Sequence, residues 1–255
     1  MVRACEQALA VGVPAVAFTE HVEAERWQST DGKAQRNLAR KVSRWVRPLD
    51  VQGYFASLAE CRERFPALRI LSGIETGEPH LNQATVAAVM GQGSFDRVLA
   101  SLHVVPIGGR LLSVGGALGI HGGAGAPDAM RRYLGELVEL IEGSDGFEIL
   151  AHIDFPRRYW PRSAPAYVEA DYEEEFRGVL RALAETERVL EINTRTALAS
   201  LDLLRWWREE GGRAVSFGSD AHTPWRVGEH FERAMDVAEA SGFYPGADAF
   251  DFWRR

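Results

Sequence analysis

The chain has 255 residues, 46% apolar and 25% charged, ordinary globular values that exclude a collagen-like, coiled-coil or mostly disordered protein. Its 29 Lys and Arg against 36 Asp and Glu give a net charge of −7, with no overall attraction to polyphosphate backbones; nucleic acid is disfavoured as the main ligand. Cys5 and Cys61 alone cannot build a disulfide framework or a thiolate zinc site, and no apolar run approaches the ~18 residues that cross a bilayer; one cytoplasmic domain over residues 1–255, without a membrane partner, is expected.

In chain order, helical spacing of apolar residues at Val2–Ala10 is followed by a strand-like run at Val13–Thr19. A long connection from Glu23 to Asp50 comes next and carries Arg26, Lys33, Arg36, Arg40, Lys41, Arg44 and Arg47. This basic stretch reads first as a solvated face, with an electropositive wall beside an anionic substrate as the sharper alternative. Helix Val51–Phe65, strand Arg69–Glu75, helix Leu81–Met90 and strand Asp96–Leu102 continue the pattern. Pro106–Pro127 holds eight glycines and reads as a long loop, a lid or binding segment in which His121 sits; it lacks the Gly-Lys-Ser/Thr ending of a phosphate-binding Walker loop. Helix Asp128–Glu142, strand Phe147–Ile153, helix Val168–Thr186, strand Arg188–Asn193, helix Leu198–Glu210, strand Arg213–Ser219 and helix Arg226–Ser241 complete the chain. Repeated βα units predict a parallel sheet, either doubly wound or closed as a barrel.

Four of the seven histidines fall at predicted strand ends: His21, His103, His152 and His222; Glu75 closes another strand. In α/β barrels and open α/β sheets the carboxyl ends of strands converge on the ligand site, so these five groups are expected to face one cavity. One such histidine alone reads as a satisfied loop or core residue. Together, imidazoles and carboxylates without thiolates suit zinc, manganese or iron(II). His80, at a predicted helix start, and His230, inside the last predicted helix, read as ordinary surface residues. Trp206 and Trp207 read as core; Trp160 and Trp225 are candidate substrate walls.

Thr-Glu-His at 19–21, Gly-Ile-Glu at 73–75, Ser-Leu-His at 101–103, Ala-His-Ile-Asp at 151–154, Glu-Ile-Asn-Thr at 191–194 and Gly-Ser-Asp-Ala-His at 218–222 resemble, in order, the motifs of the PHP (polymerase and histidinol phosphatase) superfamily, nearest its histidinol-phosphate phosphatases. The resemblance implies an α/β fold, a distorted seven-stranded TIM-like (β/α) barrel, with two to three divalent ions of zinc, manganese or iron. It implies Glu75 as bridging ligand, His103 and His152 on a second ion, His21 and His222 on a third, and Asp220 on the first. Glu20 reads as a carboxylate that orients His21. The family's first strand, with its His-x-His pair, has no counterpart before helix Val2–Ala10. The expectation is a reading frame extended upstream by roughly twenty residues, the rival a member that starts at Met1. In this chain the first ion would be the weakest, and the barrel would be open between its first and last strands.

The expected activity is hydrolysis of a small phosphate monoester such as histidinol phosphate. Arg158 and Arg195 are the candidate phosphate-binding catalytic residues, and Asp220 or His222 the proton carrier. A nucleotide or oligonucleotide phosphodiesterase, kept open by the basic stretch, and a non-catalytic metal-binding module are the alternatives.

Overall fold

The computed structural model describes residues 1–23, 48–195 and 199–255. The expectations placed on the basic stretch Arg26–Arg47, on the side chain of His121 and on a helix start at Leu198 lie outside what is described.

Six parallel strands form the frame: β1 (Ala15–Val22), β2 (Arg69–Gly77), β3 (Arg97–Ser101), β6 (Ile149–Leu150), β7 (Val189–Asn193) and β8 (Ala214–Gly218). They lie side by side in that order, and a short antiparallel strand β9 (Trp253–Arg254) follows β8. The result is a curled half-barrel. Strands β2, β3, β6 and β7 are almost entirely buried, as parallel strands covered by crossover helices must be. β1, by contrast, is half-buried, and among the described residues its outer edge has no partner. Between β1 and β8 the sheet opens into a cavity of about 1610 Å³ that reaches His21, Glu75, His152, Asp220 and His222.

The helices are α1 (Val2–Ala10), α2 (Val51–Arg64), α3 (Gln83–Met90), α4 (Val114–Leu118), α5 (Ala126–Glu142), α6 (Glu173–Glu185), α7 (Leu201–Glu209) and α8 (Phe231–Ala240). Helix α5 buries Met130, Leu134, Leu137 and Ile141 at three- and four-residue intervals, the stripe that seats a helix on a sheet. Trp206 and Trp207 of α7 are fully enclosed in the same core. A second cluster, including Cys5, Tyr54, Leu58 and Ile70, fastens α1 and α2 to the outside of β1 and β2. No helix among the described residues is long and apolar enough to cross a membrane.

Three expectations change. The glycine-rich stretch is largely regular structure: β4 (Val104–Ile107) and β5 (Arg110–Ser113) pair antiparallel about Gly108–Gly109, and α4 follows. Both glycines have positive φ, 58° and 75°, the backbone that a tight two-residue hairpin needs. Ser113 then caps α4 by accepting from the Gly116 amide at 3.0 Å. The last helix starts at Phe231 rather than Arg226, because Gly228 and His230 are left-handed (φ 73° and 64°) and cannot continue a helix. Helix α6 likewise starts at Glu173, after a 3₁₀ turn at Glu169–Tyr172.

Candidate metal centre

Register places the first two functional groups. In the β1–β2 pairing His21 lies opposite Glu75, so neighbouring parallel strands deliver an imidazole and a carboxylate to the same level of the half-barrel. His103 follows the end of β3 by two residues, and His152 follows the end of β6 by two. Strand-end residues therefore meet although up to 131 positions separate His21 from His152. Glu75 is buried at the centre: Oε1 lies 2.9 Å from His152 Nε2 and 3.5 Å from His103 Nε2, and Oε2 lies 3.5 Å from His21 Nδ1. The rings of His21 and His103 stand 5.8 Å apart, those of His103 and His152 5.3 Å, and those of His21 and His222 5.7 Å.

One carboxylate of the cluster is absent from the expected set. Glu23 Oε1 is 2.9 Å from His103 Nδ1 and 3.1 Å from His21 Nδ1. Glu20, expected to orient His21, points to solvent instead. The reason is strand alternation: residues 21 and 23 share a face, while residue 20 lies on the other. That spacing was readable, and the basic run beginning just after Glu23 masked it.

The backbone at these ligands is unusual. Five described non-glycine residues have positive φ, and Glu78 (44°), His152 (26°) and Asp220 (47°) belong to the centre. Such conformations cost about 1–3 kcal/mol each and persist only where neighbours enforce them. Glu78, which sequence reading passed over, accepts from the amides of His103 (2.5 Å) and Val104 (2.9 Å). Glu191, which opens the Glu-Ile-Asn-Thr motif and has no role assigned by sequence, accepts from the His152 amide (2.8 Å) and from Asn193 Nδ2 (3.0 Å). A Cβ at Gly218 would overlap the Glu191 carboxylate, so any larger residue there would displace that acid from the His152 amide.

Asp220 and His222 lie on the flank of the cluster. Asp220 Oδ2 is 2.5 Å from Arg158 Nη1, and Oδ1 is 3.0 Å from Arg195 Nη1. Arg158 also donates to Asn193 Oδ1 at 2.9 Å, and Arg195 Nη1 lies 2.7 Å from His222 Nδ1. Trp160 packs against Tyr167 and Tyr172, while Trp225 is exposed and lies off the cavity wall. His80, expected on the surface, has an almost fully enclosed side chain that bonds Glu136 of α5 at 2.9 Å through Nε2. His230 precedes the last helix rather than lying inside it.

At His21, His103, Glu23, Glu75 and Asp220 burial works against charge, yet the opposed partners win; at Glu78 burial prevails and pushes the acid up to about 7, and it pushes Glu191 up as well. Burial lowers His21 and His103, but Glu75 and Glu23 beside His21 hold it up at about 9, and Glu23 and Glu75 beside His103 hold it up at about 10. Against its own burial, Glu75 is drawn down to about 2 by His21 and His152, and Glu23 is drawn far below the carboxylate range by His103 and His21. Asp220 is likewise kept well below that range, despite burial, by His222, Arg158 and Arg195.

Two sets of donor atoms lie close enough to share a cation: Glu75, His103 and His152, and His21, Glu23 and His103. The buried His152 Nδ1 has no partner among the described residues, an orphan that leaves this ring's orientation to Nε2 and the cation side. Nitrogen and carboxylate oxygen donors without sulfur fit zinc, manganese or iron(II).

A parallel α/β half-barrel with a buried histidine–carboxylate cluster at the carboxyl ends of its strands defines a metal-binding α/β-barrel protein. The PHP domain model matches residues 1–195, and the chain belongs to that family. It is 25% identical over 209 residues to a histidinol-phosphatase of Lactococcus lactis, covering 77% of this chain and 74% of the relative. A protein of Clostridium acetobutylicum named probable histidinol-phosphatase is 25% identical over 202 residues, 77% of this chain and 76% of the relative. Among solved structures, the Lactococcus lactis histidinol phosphate phosphatase complexed with zinc, L-histidinol and phosphate superposes with a TM-score of 0.75 at 24% identity, covering 95% of this chain and 87% of that one. A hisK protein of Listeria monocytogenes gives a TM-score of 0.72 at 16% identity, covering 91% and 92%.

Proposed function

We propose that the chain is a metal-dependent phosphoesterase that hydrolyses small phosphate monoesters, with histidinol phosphate as the substrate suggested by its relatives. The observation that carries this is the pairing of a cation-binding cluster with two arginines, Arg158 and Arg195, that converge on Asp220 beside it. His21, Glu75, His103 and His152 would hold two or more zinc, manganese or iron(II) ions, with Asp220 as a flanking donor. Such ions supply Lewis acidity toward phosphoryl oxygen and water.

The chain's own groups do the rest. The guanidinium forks of Arg158 and Arg195 offer parallel donors matched to phosphate oxygens and offset the charge that develops on them. Asp220 holds both forks in place until an anion competes for them. His222, whose side chain is 39% exposed, stands at the rim and transfers a proton to the departing alcohol oxygen.

The test is phosphate release from a panel of monoesters, L-histidinol phosphate included, against a diester, with and without a chelator. Monoester turnover that the chelator abolishes is expected; preference for the diester would overturn the reading. Arg195→Ala should lower kcat/KM by about 100-fold, the scale of losing one charge-stabilising donor, while the zinc content stays the same. A loss of zinc in that variant would reassign Arg195 to holding the metal centre together.

Cation uptake should also expel protons. His21, at about 9, and His103, at about 10, hold protons near neutrality in the metal-free chain and must release them to ligate. Apparent zinc affinity should therefore rise by about tenfold per pH unit for each proton displaced, and level off only as pH passes those values. Calorimetry in buffers of different ionisation enthalpy counts the protons. An affinity that does not change with pH would contradict this.

A further inference from the structure

We propose that Glu23 is itself a metal ligand: with His21 and His103 it forms a site for a divalent cation beside the group formed by Glu75, His103 and His152. The inference rests on the metal-dependent reading above and deepens it. It also departs from the ligand grouping that the motifs imply, in which His21 pairs with His222 and Glu23 has no part.

Three observations carry it. The first is convergence: a single oxygen, Glu23 Oε1, lies 3.1 Å from His21 Nδ1 and 2.9 Å from His103 Nδ1, and the three donor atoms all lie within 4.8 Å of one another. Two imidazole nitrogens and one carboxylate oxygen are a donor set that holds zinc with a fourth position open for water or substrate.

The second is that the fold makes room for this carboxylate. Glu23 Oε2 occupies the space where a Cβ at Gly77, the last residue of β2, would stand. The Glu23 side chain is 9% exposed, so it is seated in the wall of the half-barrel rather than waving at its mouth.

The third is the position of the other carboxylates. Asp220 is held by two arginines, and Glu75 already takes His152 at 2.9 Å. His103 stands between the two acids, its Nδ1 facing Glu23 and its Nε2 facing Glu75, so filling both sites makes it a bridging imidazolate that gives up both ring protons to solvent. Among the described residues, Glu23 is the acid nearest His21, at 3.1 Å against 3.5 Å for Glu75, and the one placed to balance a cation on that side of the cluster.

The experiment measures zinc per chain by elemental mass spectrometry after dialysis, and zinc and cobalt(II) affinity by titration, on the full chain and on Glu23→Gln, Gly77→Ala and His152→Ala. The Gln variant keeps a hydrogen-bond acceptor of the same shape, so a role limited to orienting the imidazoles would survive it. The expected result is that the chain binds at least two equivalents, and that Glu23→Gln loses one of them or weakens it at least about 100-fold. Gly77→Ala, which keeps every donor but displaces the Glu23 carboxylate, gives the same loss and carries the test if the Gln variant does not fold. His152→Ala removes the other equivalent.

Glu23→Gln with unchanged stoichiometry and affinities within about threefold overturns the assignment of Glu23 and leaves the phosphoesterase reading standing. A parent chain that binds no divalent cation overturns both.

Discussion

Glu75→Ala should lower phosphomonoesterase activity by about 1,000-fold or more while the chain stays folded. Glu75 is the carboxylate on which the cluster is centred, within 3.5 Å of nitrogens from His21, His103 and His152. Removing it leaves a void between the three imidazoles and takes away the only described carboxylate that His152 Nε2 faces, with Glu23 remaining on the far side of His103. A cation's Lewis-acid contribution is worth several kcal/mol, and about 4 kcal/mol corresponds to three orders of magnitude in rate. Stability should move much less, because the acid is buried among groups that oppose its own desolvation cost, and a fully buried ion network is rarely a large net stabiliser. Zinc content, activity and the unfolding midpoint are to be read on the same preparation. Activity within about tenfold of the parent chain would remove Glu75 from the centre of the mechanism.

Trp207→Ala should cost about 3–5 kcal/mol of folding free energy, the range for deleting a fully enclosed aromatic ring. Trp207 is 0% exposed, its ring fills the space above Gly212, and its Nε1 donates to the Ala214 carbonyl at 3.1 Å. The substitution would open a cavity between α7 and the start of β8 and leave that carbonyl without its donor. Urea unfolding should show the midpoint falling with an unchanged slope. A loss below about 1 kcal/mol would mean that α7 does not seat on β8 through this ring.

Much of this fold is legible in the order of short apolar runs, because a parallel strand buried on both faces carries aliphatic residues without the polar alternation of a half-exposed strand. Arg69–Gly77 is such a strand, and its expected boundary differs by two residues. Phe147–Ile153 is equally apolar, yet only Ile149–Leu150 pairs as strand; His152 adopts positive φ there and turns the chain into the site. Apolar content records burial and carries no mark of where a ladder stops. The β4–β5 hairpin was hidden by its glycines, which read as a loop although Gly-Gly between two aliphatic tetrads is a turn signal.

At the site, histidines at strand ends carried the signal, since few other roles put four imidazoles there. Glu78 carries no such mark, and Glu191, though inside a motif, carries none of its role. Each acts through a backbone amide of a histidine, and that contact is created by the fold rather than by spacing along the chain. His80 shows the same limit from the other side, because its enclosure depends on Glu136, 56 positions away.

The order of the sheet bears on how the chain acquires its structure during synthesis. Each parallel strand lies beside the parallel strand that precedes it, so a newly emerged βα unit finds its partner already outside the ribosome. One segment breaks this local rule. Residues 250–254 return to the floor of the half-barrel, where Arg97 donates to the Phe250 carbonyl at 2.7 Å and stacks on Phe252, and Arg69 stacks on Phe250. Those contacts join positions more than 150 residues apart and form last. A nascent chain stopped short of Phe250 would own its six parallel strands but lack β9 and the latch beneath them, and proteases would find its floor open.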